Sequence, residues 1–189
     1  KLVSAGKLFS CGVLSDGSLW CWGGGVDGQL GLEDIDQRLM PTHVDVYAWD
    51  GISGTNEVHA VAAGSYHTCA VLSDGSLWCW GARSEGRLGL GTVWASGHTS
   101  PKRLKSGSWG CGAGKTRVVS VSAGDTHTCA VLADGSLWCW GDGGSGRIGV
   151  SSTNNHYRPA RVNAGLWGNN YDQTKVHSVS AGDSHTCAV

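Results

Sequence analysis

Sulfur is where this sequence concentrates its chemistry. Six of the eight cysteines form the pairs Cys11/Cys21, Cys69/Cys79 and Cys129/Cys139, each ten positions apart. Two chemistries fit such spacing: oxidation to disulfides, or thiolates on zinc, with His67 sharing a strand face with Cys69 and Cys79. The first pair separates them. Phe9 stands where later copies carry His67, His127 and His185, and phenylalanine ligates nothing, yet both of its cysteines remain. Disulfides are therefore expected, and with them an oxidising compartment: secreted, periplasmic or on a cell surface. Cys111 and Cys187 are left over. Cys187 is expected to lose its partner where the chain stops. Cys111, in a Gly-rich loop without counterpart, is either a free thiol or a cross-link to another chain.

Other residues with chemical potential read as structural. Ser184 beside His185 suggests nucleophilic catalysis, but adjacent strand residues point to opposite faces and cannot form a nucleophile–base hydrogen bond. The segment from Gly110 to Thr116 looks like a phosphate-binding loop. However, Trp109 occupies the position of its first glycine, and a strand rather than a helix follows. The acidic run Glu33–Asp36 lacks the spaced oxygen ligands of a calcium loop. No catalytic residue, cofactor or metal site is expected, and the chain reads as a non-enzyme. Candidate binding residues lie in inserted loops: Tyr47, Trp49, Trp109, Trp167 and Tyr171. Aromatic side chains of this kind anchor interfaces. Each of the three tryptophans also sits nine residues before the next strand in loops otherwise unlike one another, which favours a structural clamp over a binding role.

The elements that must position these residues repeat. Val61–Gly81 recurs at Val121–Gly141 with 17 of 21 residues identical; Val3–Gly23 is a looser copy, and another begins at Val179. The copies are 58, 60 and 58 residues apart, which divides the chain into repeats 3–60, 61–120 and 121–178 and a partial repeat 179–189. Periods of this kind mark stacked arrays, because one small sheet cannot bury both its faces alone. Within each copy, apolar stretches flank an Asp-Gly pair, the strongest local hairpin signal. A two-residue turn would set Cys69 opposite Trp80. A three-residue loop, Ser73-Asp74-Gly75, sets Cys69 opposite Cys79 and is favoured, because the Cα atoms of a non-hydrogen-bonded pair lie about 4.5 Å apart, within disulfide range.

In that register one face carries Cys69, Val71, Leu77 and Cys79, and the other Ala70, Leu72, Trp78 and Trp80. Both are apolar. Such a sheet must be covered twice, as a propeller blade is by its neighbours. The alternating tryptophans Trp20, Trp22, Trp78, Trp80, Trp138 and Trp140 then read as packing between blades. Val58–Ala63 reads as an inner strand, and Pro41–Val46, Pro101–Leu104 and Pro159–Val162 as short edge strands that begin at proline. The fold class is all-β: propeller-type blades, three and a fraction in number, part of a larger propeller or an open array.

The formal net charge of −1 and the absence of a basic face argue against nucleic-acid binding. No apolar run has membrane-helix length, so no membrane insertion is expected.

The segments VSAGDTHTCAVLADGSLWCWG with GDGGSGRIG, WGGGVDGQLG and WGARSEGRLG resemble the repeat of the regulator of chromosome condensation family. The resemblance covers nearly the whole chain and implies a seven-bladed propeller. It implies no single function, since similar proteins include a GTPase exchange factor, a β-lactamase inhibitor and a plant UV-B photoreceptor. This chain departs from the intracellular members by its paired cysteines and by 13-residue insertions at Asp45–Glu57, Lys105–Arg117 and Asn163–Lys175. The expected function is an extracellular, non-catalytic binding or structural scaffold. Its loops would take a protein or carbohydrate partner or join copies of the chain into a homo-oligomer or fibre-like assembly. An inhibitor of a secreted enzyme is the first alternative, and an exchange factor the second.

Overall fold

The computed structural model describes residues 1–46, 49, 57–91, 97–105, 107, 109, 116–163 and 175–189. Strands of alternating Val, Leu, Trp and Thr fold into three four-stranded antiparallel meanders. The first holds β1 (Leu2–Ala5), β2 (Phe9–Val13), β3 (Leu19–Gly23) and β4 (Arg38–Val44). The second holds β5 (Val58–Ala63), β6 (His67–Leu72), β7 (Leu77–Gly81) and β8 (His98–Arg103). The third holds β9 (Val118–Ala123), β10 (His127–Leu132), β11 (Leu137–Gly141) and β12 (His156–Arg161). A two-stranded pair, β13 (Val179–Ala181) and β14 (Thr186–Ala188), begins the next sheet. The sheets therefore open at Leu2, Val58, Val118 and Val179. The repeat boundaries at 60/61 and 120/121 fall inside β5 and β9.

Local chemistry sets each central hairpin. Gly75 takes φ 80°, a conformation without steric cost only for glycine, and its N–H donates to Leu72 O at 2.8 Å. The Asp74 carboxylate accepts the Ser76 N–H at 2.8 Å, closing the turn from the side-chain end. The three-residue loop follows, and with it the favoured register: Cys69 faces Cys79, Val71 faces Leu77, and Ala70 and Thr68 face Trp78 and Trp80. The third hairpin repeats this pairing, and the first pairs Cys11 with Cys21.

The edge strands differ from expectation at their starts. They open at Arg38, His98 and His156, with Pro41, Pro101 and Pro159 inside them. Each proline lies where the ladder shifts register, between Cys21 and Gly23, Cys79 and Gly81, or Cys139 and Gly141 on the neighbouring strand. A residue without an N–H fits where no ladder bond is made.

The central strands of the second and third sheets are buried on both faces, as their composition requires, whereas in the first sheet the cysteine face is buried and the Trp20 and Trp22 face is half-buried. Cys11, Val13, Leu19 and Cys21 of the first sheet pack with Ala70, Leu72, Trp78 and Trp80 of the second. Cys69, Val71, Leu77 and Cys79 of the second pack with Ala130, Leu132, Trp138 and Trp140 of the third. Leu30 and Leu88, from the loops after β3 and β7, complete these two layers. The sheets stack as blades, with the first strands innermost: Ser4 Oγ on β1 accepts the Ala63 N–H of β5 at 2.9 Å, and Ser122 Oγ on β9 accepts that of Ala181 on β13 at 2.9 Å.

Glycine sets how closely the inner ends approach. A Cβ on Gly64 would lie 2.5 Å from Gly124 O in the next blade, and Gly6 and Gly124 meet the same obstacle one blade apart. Gly64→Ala should therefore force blades apart and cost roughly 1–3 kcal/mol. Gly12→Ala is the control: its nearest neighbour would be 3.6 Å away, and Ala70 and Ala130 occupy the equivalent positions. Thermal unfolding of the two variants should show a lowered Tm for Gly64→Ala and an unchanged or raised one for Gly12→Ala.

Candidate functional site

The paired cysteines meet across the central strands of each blade. Cys11–Cys21, Cys69–Cys79 and Cys129–Cys139 are disulfide-bonded, with Cα atoms 4.2, 4.1 and 4.1 Å apart. All six are 0% exposed. Each bond joins the two strands whose far face the next blade covers, so it lies within an inter-blade layer rather than at the surface. Cys187 on β14 carries an exposed free thiol.

The same layers contain a polar chain that the sequence reading did not find. The loops after β3, β7 and β11 carry the recurring segments GQLG, GRLG and GRIG. In each, the backbone carbonyl of the second residue points into the next blade. Gln29 O accepts Thr68 Oγ1 at 2.7 Å and Trp80 Nε1 at 2.9 Å. Arg87 O accepts Thr128 Oγ1 at 2.8 Å and Trp140 Nε1 at 2.9 Å, and Arg147 O accepts Thr186 Oγ1 at 2.8 Å. Where threonine and indole both donate, the two lone pairs of a buried carbonyl are filled, as burial demands. Gly31 makes the approach possible: it holds φ 75°, and a Cβ there would lie 2.6 Å from Trp80 Nε1.

The repeated histidines extend this chain across blades. His67 Nε2 lies 2.7 Å from Thr128 Oγ1, and His127 Nε2 lies 2.9 Å from Thr186 Oγ1. Thr128 commits its one hydrogen to Arg87 O, so the bond runs from the histidine: Nε2–H donates and the threonine oxygen accepts. The tautomer is thereby fixed, and Nδ1 of both rings is a buried acceptor without a hydrogen-bond partner. In the first blade Phe9 fills this position with an apolar ring, 4% exposed.

Burial, and then the nearby Arg87, hold His67 far below its ordinary titration range, at about 3. Burial, and then Arg147, bring His127 down to about 4. These groups are neutral, bonded and structural. Among the described residues no group of three or more His, Cys, Asp or Glu could hold a metal ion.

Arg87 shows how a buried cation is accommodated. Its Nε and NH2 donate to Ser84 O and Ser84 Oγ at 3.0 and 2.8 Å, NH1 donates to Asp125 O at 3.0 Å, and the guanidinium lies over the Tyr66 ring.

Two of the candidate loop residues lie in the clamp position that their spacing favours. Trp49 packs between Trp78 and Trp80, with centroids 5.2 and 5.6 Å away, and Trp109 packs between Trp138 and Trp140 at 5.9 and 5.7 Å. At 5% and 1% exposure they clamp the inter-blade layers. Apolar burial of a ring this large outweighs any display at the surface. Tyr47, Trp167, Tyr171 and Cys111 lie outside the described residues, as does most of the loop from Gly110 to Thr116.

The histidines set a pH dependence. Their folded pKa values lie below the unfolded value near 6.5, so the unfolded chain takes up protons that the folded chain refuses. Stability is full above about pH 6.5 and falls as pH drops, by about 1.4 kcal/mol per pH unit for each histidine until pH nears the folded pKa. Denaturant melts should show this slope between about pH 6.5 and 4. His67→Phe combined with His127→Phe, which copies the first blade, should flatten it. An unchanged slope would place the acid sensitivity elsewhere.

Comparison with known proteins agrees with this geometry. The family model described as "Regulator of chromosome condensation (RCC1) repeat" matches residues 16–71, 74–131 and 134–189, and a second model of that description matches 1–29, 58–87 and 118–147. The Ultraviolet-B receptor UVR8 of Arabidopsis thaliana is 33% identical over 189 residues, which cover 100% of this chain and 38% of that protein. The probable E3 ubiquitin-protein ligase HERC6 of Homo sapiens is 30% identical over 188 residues, covering 100% of this chain and 17% of that protein. Among solved structures, yeast RCC1 (Prp20) superposes with TM-score 0.79 at 20% identity, over 100% of this chain and 41% of that one. The ectodomain of the Physcomitrella patens receptor kinase CR4 superposes with TM-score 0.51 at 20% identity, over 99% of this chain and 34% of that one. The chain thus spans well under half the length of these relatives. With three matched repeats, blades that superpose on a known propeller and the recurring glycine-framed carbonyl between them, the chain belongs to the regulator of chromosome condensation (RCC1) repeat family.

Proposed function

We propose that the chain is a blade-bearing segment of an extracellular, non-catalytic scaffold that binds a protein or carbohydrate partner on its loops. The observation that carries this reading is the placement of a disulfide inside each inter-blade layer. Closing each hairpin loop stabilises the fold by roughly 2.5–3 kcal/mol through the unfolded chain, a gain available only where thiols are oxidised. The fold itself tolerates that setting, since the CR4 ectodomain shares it.

A binding role is one this fold serves elsewhere: yeast RCC1 was solved bound to Kap60. The ligase name of HERC6 belongs to a protein of which the match spans 17%, so no catalytic role is carried over from it. The repeated histidines and threonines, which could have suggested chemistry, are taken up in bonds between blades.

Peptide mapping of native, non-reduced material tests the compartment. It should return the bonds Cys11–Cys21, Cys69–Cys79 and Cys129–Cys139, and material with all of these thiols free would remove the extracellular reading. As a companion measurement, Cys69→Ala with Cys79→Ala should lose roughly 2–4 kcal/mol in denaturant unfolding while keeping the β-sheet spectrum.

A further inference from the structure

At the foot of the second sheet lies a cleft of about 850 Å³, a size typical of small-ligand sites. Its walls are held by backbone bonds. Leu104 N–H donates to Leu77 O at 2.9 Å on the outer side, and Val118 N–H donates to Gly75 O at 2.9 Å on the inner side. Ala133 N–H ties the inner wall to the third blade through Arg117 O at 2.8 Å. The floor is closed by the buried side chains of Leu77, Trp78, Leu104 and Trp109. Such a cleft is shaped before any ligand arrives, which lowers the ordering cost of binding.

The charge of its rim is distinctive. Lys102, Arg103, Lys105 and Arg117 line it against one carboxylate, Asp74, which stands 3.8 Å from Arg103. The corresponding residues of the first repeat are Thr42, His43, Asp45 and Glu57, although the two hairpins share their turn, disulfide and tryptophans. The side chain that meets the hairpin glycine follows the same contrast: Glu57 at Gly17, Arg117 at Gly75. The third repeat keeps two of the four cations, Arg161 and Lys175, with Lys175 at Gly135, and has Ala160 and Asn163 at the other two positions, so the full set of four belongs to the second repeat. Beside the cations stand acceptors for hydroxyl donors, namely the Asp74 carboxylate and the hydroxyls of Ser76 and Thr116. A polyhydroxylated anion satisfies both sets. A run of acidic side chains satisfies only the first and meets repulsion at Asp74.

We propose that this cleft is a binding site for an acidic oligosaccharide, with its carboxylate or sulfate groups on Lys105 and Arg117 and its hydroxyls on Asp74, Ser76 and Thr116. The inference rests on the binding reading above and names a ligand class for it. Because the interaction is charge-led at a partly exposed rim, it weakens as ionic strength rises.

Calorimetric titration of the full chain with oligogalacturonate and with short dextran sulfate tests it, with neutral dextran and poly-glutamate as comparators. Binding of at least one acidic oligosaccharide is expected, weakened roughly tenfold or more in Lys105→Gln with Arg117→Gln. It should be unchanged in Arg161→Gln with Lys175→Gln, the third repeat's cations at the positions of Arg103 and Arg117. Both pairs are exposed, so an unchanged Tm verifies that each variant is folded. Absence of binding by both acidic sugars, equal loss in the two double variants, or equal affinity for neutral dextran would overturn the proposal. Poly-glutamate binding as tightly would overturn it in favour of an acidic peptide. The result is independent of the thiol state: free cysteines with intact sugar binding would fail the compartment reading alone.

Discussion

The structure depends on strand register, which the three-residue turn sets and a sulfur bridge between directly opposed positions of each central hairpin locks. A slip of one residue would turn every side chain to the other face. Because both faces of each blade are apolar, composition alone could not detect such a slip. The bridge removes the ambiguity: with Cys69 against Cys79, the cysteine face meets the tryptophan face of the next blade, and Trp140 reaches the Arg87 carbonyl. Every layer repeats this arrangement with its own disulfide or its continuation.

Two further devices make the stack specific rather than merely sticky. Glycines at the inner turns let adjacent backbones approach to a distance no other residue permits, and buried carbonyls accept threonine and indole donors from the following blade. A buried carbonyl left without these donors would cost a few kcal/mol, so each blade accepts a neighbour only at the correct rotation. The histidines add a bond of the same kind at the cost of an unpartnered Nδ1. Phe9 shows that an apolar ring is an acceptable substitute.

Much of this was legible in the sequence because it follows short-range rules. The Asp-Gly turn, the ten-residue cysteine spacing and the period-two alternation each report on neighbours in the chain, and together they gave the hairpin register and the two buried faces. The inner strand Val58–Ala63 was legible for the same reason. What escaped was long-range: the carbonyls of Gln29, Arg87 and Arg147 have no side-chain signal, and only the recurrence of GQLG, GRLG and GRIG hinted that they mattered. Pro41, Pro101 and Pro159 mislead as strand starts, because the bulge lets a residue without an N–H sit inside the strand. For Trp49 and Trp109 the nine-residue spacing before the next strand suggests a clamp, but the indoles they pack against lie one blade away, and the spacing does not name them.

The central claim is that the hairpin disulfides hold the register on which the inter-blade bonds depend. Hydrogen–deuterium exchange of the oxidised and the gently reduced chain, resolved to the amides of β6, β7, β10 and β11 and the indole N–H groups of Trp80 and Trp140, tests it most directly. The account predicts strong protection in the oxidised chain and a concerted loss of protection at strands and indoles together on reduction. Indole protection that survives reduction while the strands lose theirs, or no change at either, would contradict it.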